Sequence, residues 1–155
     1  MSFSPRAFVI LLPAVLVIWT KIHLCWWCII IIFYRNISKI ILATTTNKED
    51  DKLELIAKKN KVKVYRGSEL NVKKRVIEAA KKFKIKIIIS ITADCPLVDS
   101  SIIDDCLNNF LINNIEYINN LETKGFPEGM NCQIFYTKTL IKSYKLCKKT
   151  KENLE

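Results

Sequence analysis

Hydrophobic and polar residues follow two different periods along this chain, and the alternation between them outlines the fold. Residues 85–91 are apolar apart from Lys86 and Ser90 and rich in isoleucine. A short β-branched run of that kind predicts a strand buried on both faces of a parallel sheet. Residues 40–43 and 62–65 predict two further short strands. Between them, residues 49–59 predict a helix with Leu53, Ile56 and Ala57 on one face and acids in its first turn. Asn71 can cap a second helix whose inner stripe is Val72, Val76, Ala80 and Phe83. Asp99 can cap a third, with Ile102, Ile103, Cys106, Leu107, Phe110 and Leu111 facing the core. A short strand at Tyr117, another over 133–136 and a last helix from Thr137 through Leu140, Ile141 and Tyr144 complete the pattern. Strands alternating with amphipathic helices predict an α/β domain over residues 38–150, a mostly parallel sheet flanked by helices, with right-handed crossovers and Ile87, Ile89 and Ile91 in its core.

Residues 7–34 break that rhythm. Residues 7–20 are apolar almost throughout, Lys21 and His23 interrupt, and 24–34 are apolar again. Three explanations compete. As a membrane anchor the run exceeds the ~20 residues a spanning helix needs, but a central Lys costs roughly 2.5–3.5 kcal/mol on insertion scales. As a signal peptide it has Arg6 in front but no clean small-residue cleavage site. The favoured explanation is a segment foreign to the domain, from a misplaced start or a frameshift. On it, the chain divides into a hydrophobic, membrane-seeking segment at 1–36 and a partial domain at 37–155. Residues 7–34 are then expected not to pack as a first strand and loop. Cys25-Trp26-Trp27-Cys28 lacks the flanking pattern of a redox motif, and His23 has no partner for a catalytic triad.

The 155 residues suit one domain with a real core. A net charge of +10 favours anionic partners in principle. The lysines, however, are spread over helix faces with no aromatic-interleaved patch, so nucleic acid is not an expected partner. Six cysteines show no disulfide or zinc spacing. Those from Cys95 onward fall in core or helical positions and suit reduced thiols in the cytoplasm; the alternative location is a membrane, through residues 7–34.

Chemistry-bearing residues gather where the predicted strands end, the edge at which open α/β sheets bind ligands. Asp94 follows the 85–91 strand, in a turn stiffened by Pro96. A lone carboxylate there suits Mg²⁺, which takes one or two carboxylates plus substrate phosphates; its plainer role is to cap a turn. Arg66 leaves the 62–65 strand and could meet a phosphate or carboxylate bidentately, or pair on the surface with Glu69. Thr44 and Thr45, in the loop after the 40–43 strand, either contact a ligand or end the strand. Gly129 serves a tight turn or a close approach to a ligand.

Five strings in order carry a resemblance: Leu42-Ala43-Thr44-Thr45, Val64-Tyr65-Arg66-Gly67-Ser68, Thr92-Ala93-Asp94-Cys95-Pro96-Leu97, Glu116-Tyr117-Ile118-Asn119-Asn120, and Phe126-Pro127-Glu128-Gly129-Met130. With them, residues 37–155 resemble the cytidylyltransferases that activate acidic sugars, of the acylneuraminate and spore-coat polysaccharide types. The resemblance implies a Rossmann-like nucleotide-diphospho-sugar transferase sandwich. It implies transfer of CMP from CTP to a sugar acid with loss of pyrophosphate, for polysaccharide or glycan biosynthesis. It implies Mg²⁺ held at Asp94, with Arg66 and Arg75 catalytic and a possible homodimer. Thr44 and Thr45 would contact the nucleotide, Asn120, Glu128 and Gly129 would serve the acceptor sugar, and Thr92, Asn131 and Gln133 would also bind substrate, with Thr92 and Pro96 shaping the Asp94 turn. Arg75 has a competing reading, a solvated basic face with Lys73 and Lys74.

Two departures from the family pattern count against turnover. Residues 1–36 contain no glycine, so the first strand and the glycine-rich loop that wraps CTP are expected to be missing. Asn131 and Gln133 stand where the family often has acids, and amides add no charge to hold Mg²⁺. Three readings follow: a sugar-acid cytidylyltransferase, a catalytically dead remnant or sugar-nucleotide binding module, and a membrane-anchored protein.

Overall fold

A computed structural model describes residues 7–12, 37–92, 94–95, 97–120 and 125–152. Its strands are β1 (Ala7–Leu12), β2 (Ile37–Thr45), β3 (Lys63–Gly67), β4 (Ile87–Thr92), β5 (Tyr117–Asn119) and β6 (Gln133–Tyr136). The described helices are α1 (Asp51–Lys59), preceded by a 3₁₀ turn over Lys48–Asp50, α2 (Val72–Lys82), α3 (Ser100–Ile112) and α4 (Thr137–Glu152). The six strands form one sheet in the order β3-β2-β1-β4-β6-β5. β1 to β4 pair in parallel, while β6 runs antiparallel to both β4 and β5. The expected mostly parallel α/β architecture is therefore present.

Strand β4 shows why its sequence is so uniformly apolar. Ile87, Ile89 and Ile91 pack into one core with Ile103, Leu107 and Phe110 of α3 and Ala57 of α1. Ile88 points the other way, into a second core with Val76, Ala79 and Ala80 of α2. Both faces are covered, so no polar alternation survives.

The N-terminal expectation is corrected. Ala7–Leu12 is not set apart from the domain but pairs in parallel with β2 on one side and β4 on the other. Six residues rich in Phe, Val and Ile satisfy their backbone groups between two apolar strands, which is the physical requirement of an interior strand. A division of the chain at 36/37 therefore does not describe β1. The remaining expectations for residues 13–36, including the phosphate loop, His23 and the Cys25–Cys28 pair, lie outside the described residues. No helix among the described residues is long and apolar enough to cross a membrane.

The helix ends follow local rules. Asn71 Oδ1 accepts from the Lys74 amide at 2.9 Å, and Asp99 Oδ1 from the Ser101 amide at 2.8 Å, as the capping pattern predicts. Helices α1, α2 and α3 each run into a left-handed residue that is not glycine: Lys61 (φ 59°), Lys84 (φ 56°) and Asn114 (φ 48°). After α2, the Ile85 amide reaches back to Ala80 at 2.8 Å and the Lys84 amide to Lys81 at 3.2 Å, a Schellman closure. A left-handed L-residue costs roughly 1–2 kcal/mol, partly offset by the greater freedom glycine would have when unfolded. Lys84→Gly should therefore stabilise the protein by about 0.5–1 kcal/mol, read as a higher urea midpoint at unchanged slope. A lower midpoint would contradict this account of the turn.

Candidate active site at the carboxyl edge of the sheet

β5 is antiparallel to β6, which is antiparallel to β4, so β5 ends on the same edge as β1 to β4, and β6 begins there. Thr44, Thr45, Arg66, Thr92, Asp94, Asn120, Asn131 and Gln133 thus all reach one edge of the sheet, from four strand ends and the start of a fifth. What each side chain does there differs from residue to residue.

Thr44 and Thr45 are strand rather than loop. Their β-branched side chains favour extended backbone, and they continue β2, pairing with Arg66 and Gly67 of β3. Their hydroxyls turn inward. Thr44 Oγ1 donates to Asp50 Oδ2 at 2.6 Å, and both the amide (2.9 Å) and the hydroxyl of Thr45 donate to the same oxygen. Burial pushes the Asp50 carboxyl up, but these donors and the nearby Arg66 charge outweigh it and hold it below its usual range.

Arg66 closes the same knot from the neighbouring strand. Its Nε donates to the Thr45 carbonyl at 2.8 Å, and one terminal nitrogen donates to the Asn47 carbonyl at 2.7 Å. The other terminal nitrogen meets Asp51 and, at 2.9 Å, Glu54 on α1. Asp51 is the main reason its pKa rises further, and Glu54 adds to it. Four of the five guanidinium hydrogens expected for Arg are thereby committed, and the ion-pair partners are Asp51 and Glu54 rather than Glu69.

Arg75 is the reverse case. It is not on a solvated basic face: it is 3% exposed, whereas Lys73 and Lys74 beside it are exposed. One terminal nitrogen donates to the Ser68 carbonyl at 2.6 Å, and Nε has no partner. Burial lowers its pKa, opposed by the charges of Asp50 and Glu69. Its stem also explains Gly67. A Cβ there would sit 2.8 Å from the Tyr65 ring and 3.1 Å from Arg75 Cγ, so only glycine lets the β3–α2 loop pass. The result is a desolvated cation with unused hydrogen-bonding capacity beside the ligand edge.

Asp94 stands exposed in the turn after β4. The turn is set from below: the Cys95 amide donates to the Thr92 carbonyl at 3.1 Å, and the Cys95 sulfur lies 3.3 Å from Thr92 Oγ1. The Cys95 thiol contacts Asp94 Oδ1 at 3.6 Å. Pro96 lies outside the described residues. Across the edge, the Leu97 amide donates to the Gly129 carbonyl at 2.9 Å, tying this turn to the loop before β6. Gly129 has φ 87°, so it serves a turn that other residues would strain. Glu128 beside it is exposed.

Asn120 is 4% exposed and both ends of its amide are used. Nδ2 donates to the Met130 carbonyl at 2.8 Å, and Oδ1 accepts from the Cys132 amide at 2.8 Å. It therefore braces the loop that carries Gly129 and Asn131. Asn131 and Gln133 are half-buried, and neither side chain has a hydrogen bond among the described residues. Beneath this loop, the Cys132 thiol holds the Cys106 thiol down at about 7 against burial, while its own pKa is pushed far up by the same contact and by burial.

No group of three His, Cys, Asp or Glu side chains that could cage a metal occurs among the described residues. An exposed single carboxylate such as Asp94 still fits a hard cation that completes its shell with water and substrate phosphates. Sequence reasoning missed Asp50, Asp51 and Glu54. The only signal for them was acids in the first turn of α1, which read as helix-dipole partners.

The open sheet in this strand order, with its polar residues gathered on one edge, is a Rossmann-like nucleotide-diphospho-sugar transferase fold. The cytidylyltransferase family matches residues 31–151, and the chain belongs to that family. The structure of a cytidylyltransferase from Leptospira borgpetersenii superposes with a TM-score of 0.81 at 32% identity, covering 92% of this chain and 65% of that one. An uncharacterized protein of Methanocaldococcus jannaschii is 33% identical over 114 residues, 74% of this chain and 46% of the relative. The spore coat polysaccharide biosynthesis protein SpsF of Bacillus subtilis is 32% identical over 72 residues, 46% of this chain and 30% of the relative. The chain thus spans less than half the length of these curated relatives. The fold also matches CMP:2-keto-3-deoxy-manno-octonic acid synthetase complexed with CTP, at a TM-score of 0.61 and 11% identity over 90% of this chain and 78% of that one.

Proposed function

We propose that this chain transfers CMP from CTP to a sugar acid and releases pyrophosphate, as a cytoplasmic step in polysaccharide or glycan biosynthesis. The observation that carries the reading is Asp94, an exposed carboxylate at the end of a central parallel strand, in a chain of the cytidylyltransferase family. SpsF, a polysaccharide biosynthesis protein, and the synthetase bound to CTP support the sugar and the nucleotide.

The transfer is a displacement at phosphorus. A hydroxyl oxygen of the sugar attacks the α-phosphorus of CTP, its proton passes to solvent, and the bond to the bridging oxygen of pyrophosphate breaks. Bound Mg²⁺ would neutralise charge on the phosphates, and Asp94 would hold it. Arg75 supplies fixed positive charge close to the edge, in a desolvated position where charge acts strongly. Arg66 acts through position: it fixes the β2–α1 loop and has little capacity left for a phosphate. Asn120 likewise sets the loop of Gly129 and Asn131, leaving the Asn131 and Gln133 amides for the acceptor.

A second reading, a sugar-nucleotide binding module without turnover, is favoured by the amides at Asn131 and Gln133, which leave Asp94 without the family's further acids. Pyrophosphate release from CTP and Mg²⁺, measured with sugar acids and matched neutral sugars, separates the two. Release that requires a sugar acid is the expected result. Binding of CTP with no release for any acid would overturn transfer in favour of the binding module.

A further inference from the structure

A hollow of about 320 Å³ opens on the face of the sheet packed against α2 and α4. Its lining includes the polar side chains of Ser90 of β4, Gln133 of β6, and Thr139 and Ser143 of α4. Ser90 is only 9% exposed, and Thr139 Oγ1 is buried with no partner. Among the described residues none of the four side chains makes a hydrogen bond. Buried polar groups are normally satisfied, and leaving Thr139 Oγ1 unpaired beside this space is costly. The rest of the lining is largely apolar and aromatic, including Val76 and Phe135. Few convergent polar groups set in an apolar cavity is the profile of a small-molecule site rather than of a hydration pocket.

The hollow also has a direction. Ser90 and Gln133 are paired across β4 and β6. Ser90 lies two residues before Thr92, on the same side of the strand and roughly 6.6 Å from it along the chain. Thr92 leads directly into the Asp94 turn. Among the described residues Lys73 is the only charged member of the lining, and its ammonium meets just the Cys147 sulfur, at 3.6 Å.

We infer that this hollow seats the acceptor, a hydroxylated ring carrying one carboxylate: hydroxyls and ring oxygen toward Ser90, Gln133 and Thr139, carboxylate toward Lys73. This rests on the transfer reading above, and it assigns acceptor recognition to Ser90, Thr139, Ser143 and Lys73. The ring's apolar face packs on the Phe135 wall, and its reactive hydroxyl faces the β4 end.

Calorimetric titration of the whole chain with 2-keto-3-deoxy-manno-octonate, glucuronate and neutral glucose, with and without CTP, tests it. At least one acid should bind about tenfold or more tighter than glucose. Ser90→Ala and Thr139→Val should each weaken that acid about five- to tenfold, and Lys73→Gln should remove most of the preference for acid over glucose. Circular dichroism and urea midpoints close to the parent's establish that each variant is folded. No binding by either acid, or binding unchanged in all three variants, would overturn the assignment and leave the hollow to water. The two readings fail separately. Pyrophosphate release whose KM for the acid is unmoved in these variants refutes the hollow but keeps the transfer. Acid binding lost in the variants, with no release under any condition, keeps the hollow and removes the transfer.

Discussion

Removing residues 1–36 is expected to leave no cooperatively folded protein. β1 is bonded on both sides, to β2 and to β4. Without it the sheet falls into two pieces, β3-β2 and β4-β6-β5, each with a newly unpaired apolar edge. Ile41 and Ile89 are wholly buried in strands on either side of β1, and the helices that cover them bridge the two pieces. The loss removes a full set of interior backbone hydrogen bonds and opens both cores. Net domain stability is only about 5–15 kcal/mol, and such a loss exceeds it. Urea unfolding of the 37–155 fragment should show no sigmoidal transition, and size-exclusion chromatography should show aggregates formed through the open edges. A soluble monomer with a cooperative transition would refute the central role of β1.

That expectation reverses the one drawn from the sequence, and the reason is instructive. Residues 7–20 run apolar with Pro13 as the single break after Leu12, and a stretch apolar on both sides of that proline reads as membrane-seeking rather than as a strand that ends there. The same ambiguity did not arise at 85–91, because Thr92, Asp94 and Pro96 punctuate its end. Interior strands are the least periodic elements of a parallel sheet, and β1 is flanked by strands on both sides.

The local chemistry was more readable than the chemistry between distant residues. Asn71 and Asp99 cap their helices through contacts two or three residues away, and such spacing is visible in a sequence. Arg66 finds the Thr45 carbonyl 21 residues away because β2 and β3 pair in that register, and no short string encodes it. Arg75 was masked by company: two exposed lysines precede it, and helical rotation alone takes the third basic residue into the core. Asn120 and the two threonines were found as members of the edge. Their inward-turned hydrogen bonds, by which they brace the edge, depend on loops folding back upon them.

Replacing Asp94 with Ala should lower pyrophosphate release at least about 100-fold, the scale at which removal of a single group that stabilises transition-state charge is felt. The carboxylate is exposed at the end of β4, and the contacts that shape its turn come from the Cys95 amide, the Thr92 hydroxyl and the Leu97 amide, none of which needs the Asp94 side chain. The substitution should therefore leave the urea midpoint nearly unchanged while the rate collapses. Raising Mg²⁺ should restore part of the rate if the lost group held the cation, because the phosphates and water can still bind it more weakly. Asn131 and Gln133 contribute only neutral oxygens and cannot replace the lost charge. Arg75→Met offers the matching control: it removes the buried charge behind the edge and should slow release without changing the Mg²⁺ dependence. Release by Asp94→Ala at the parent rate would take Asp94 out of the mechanism.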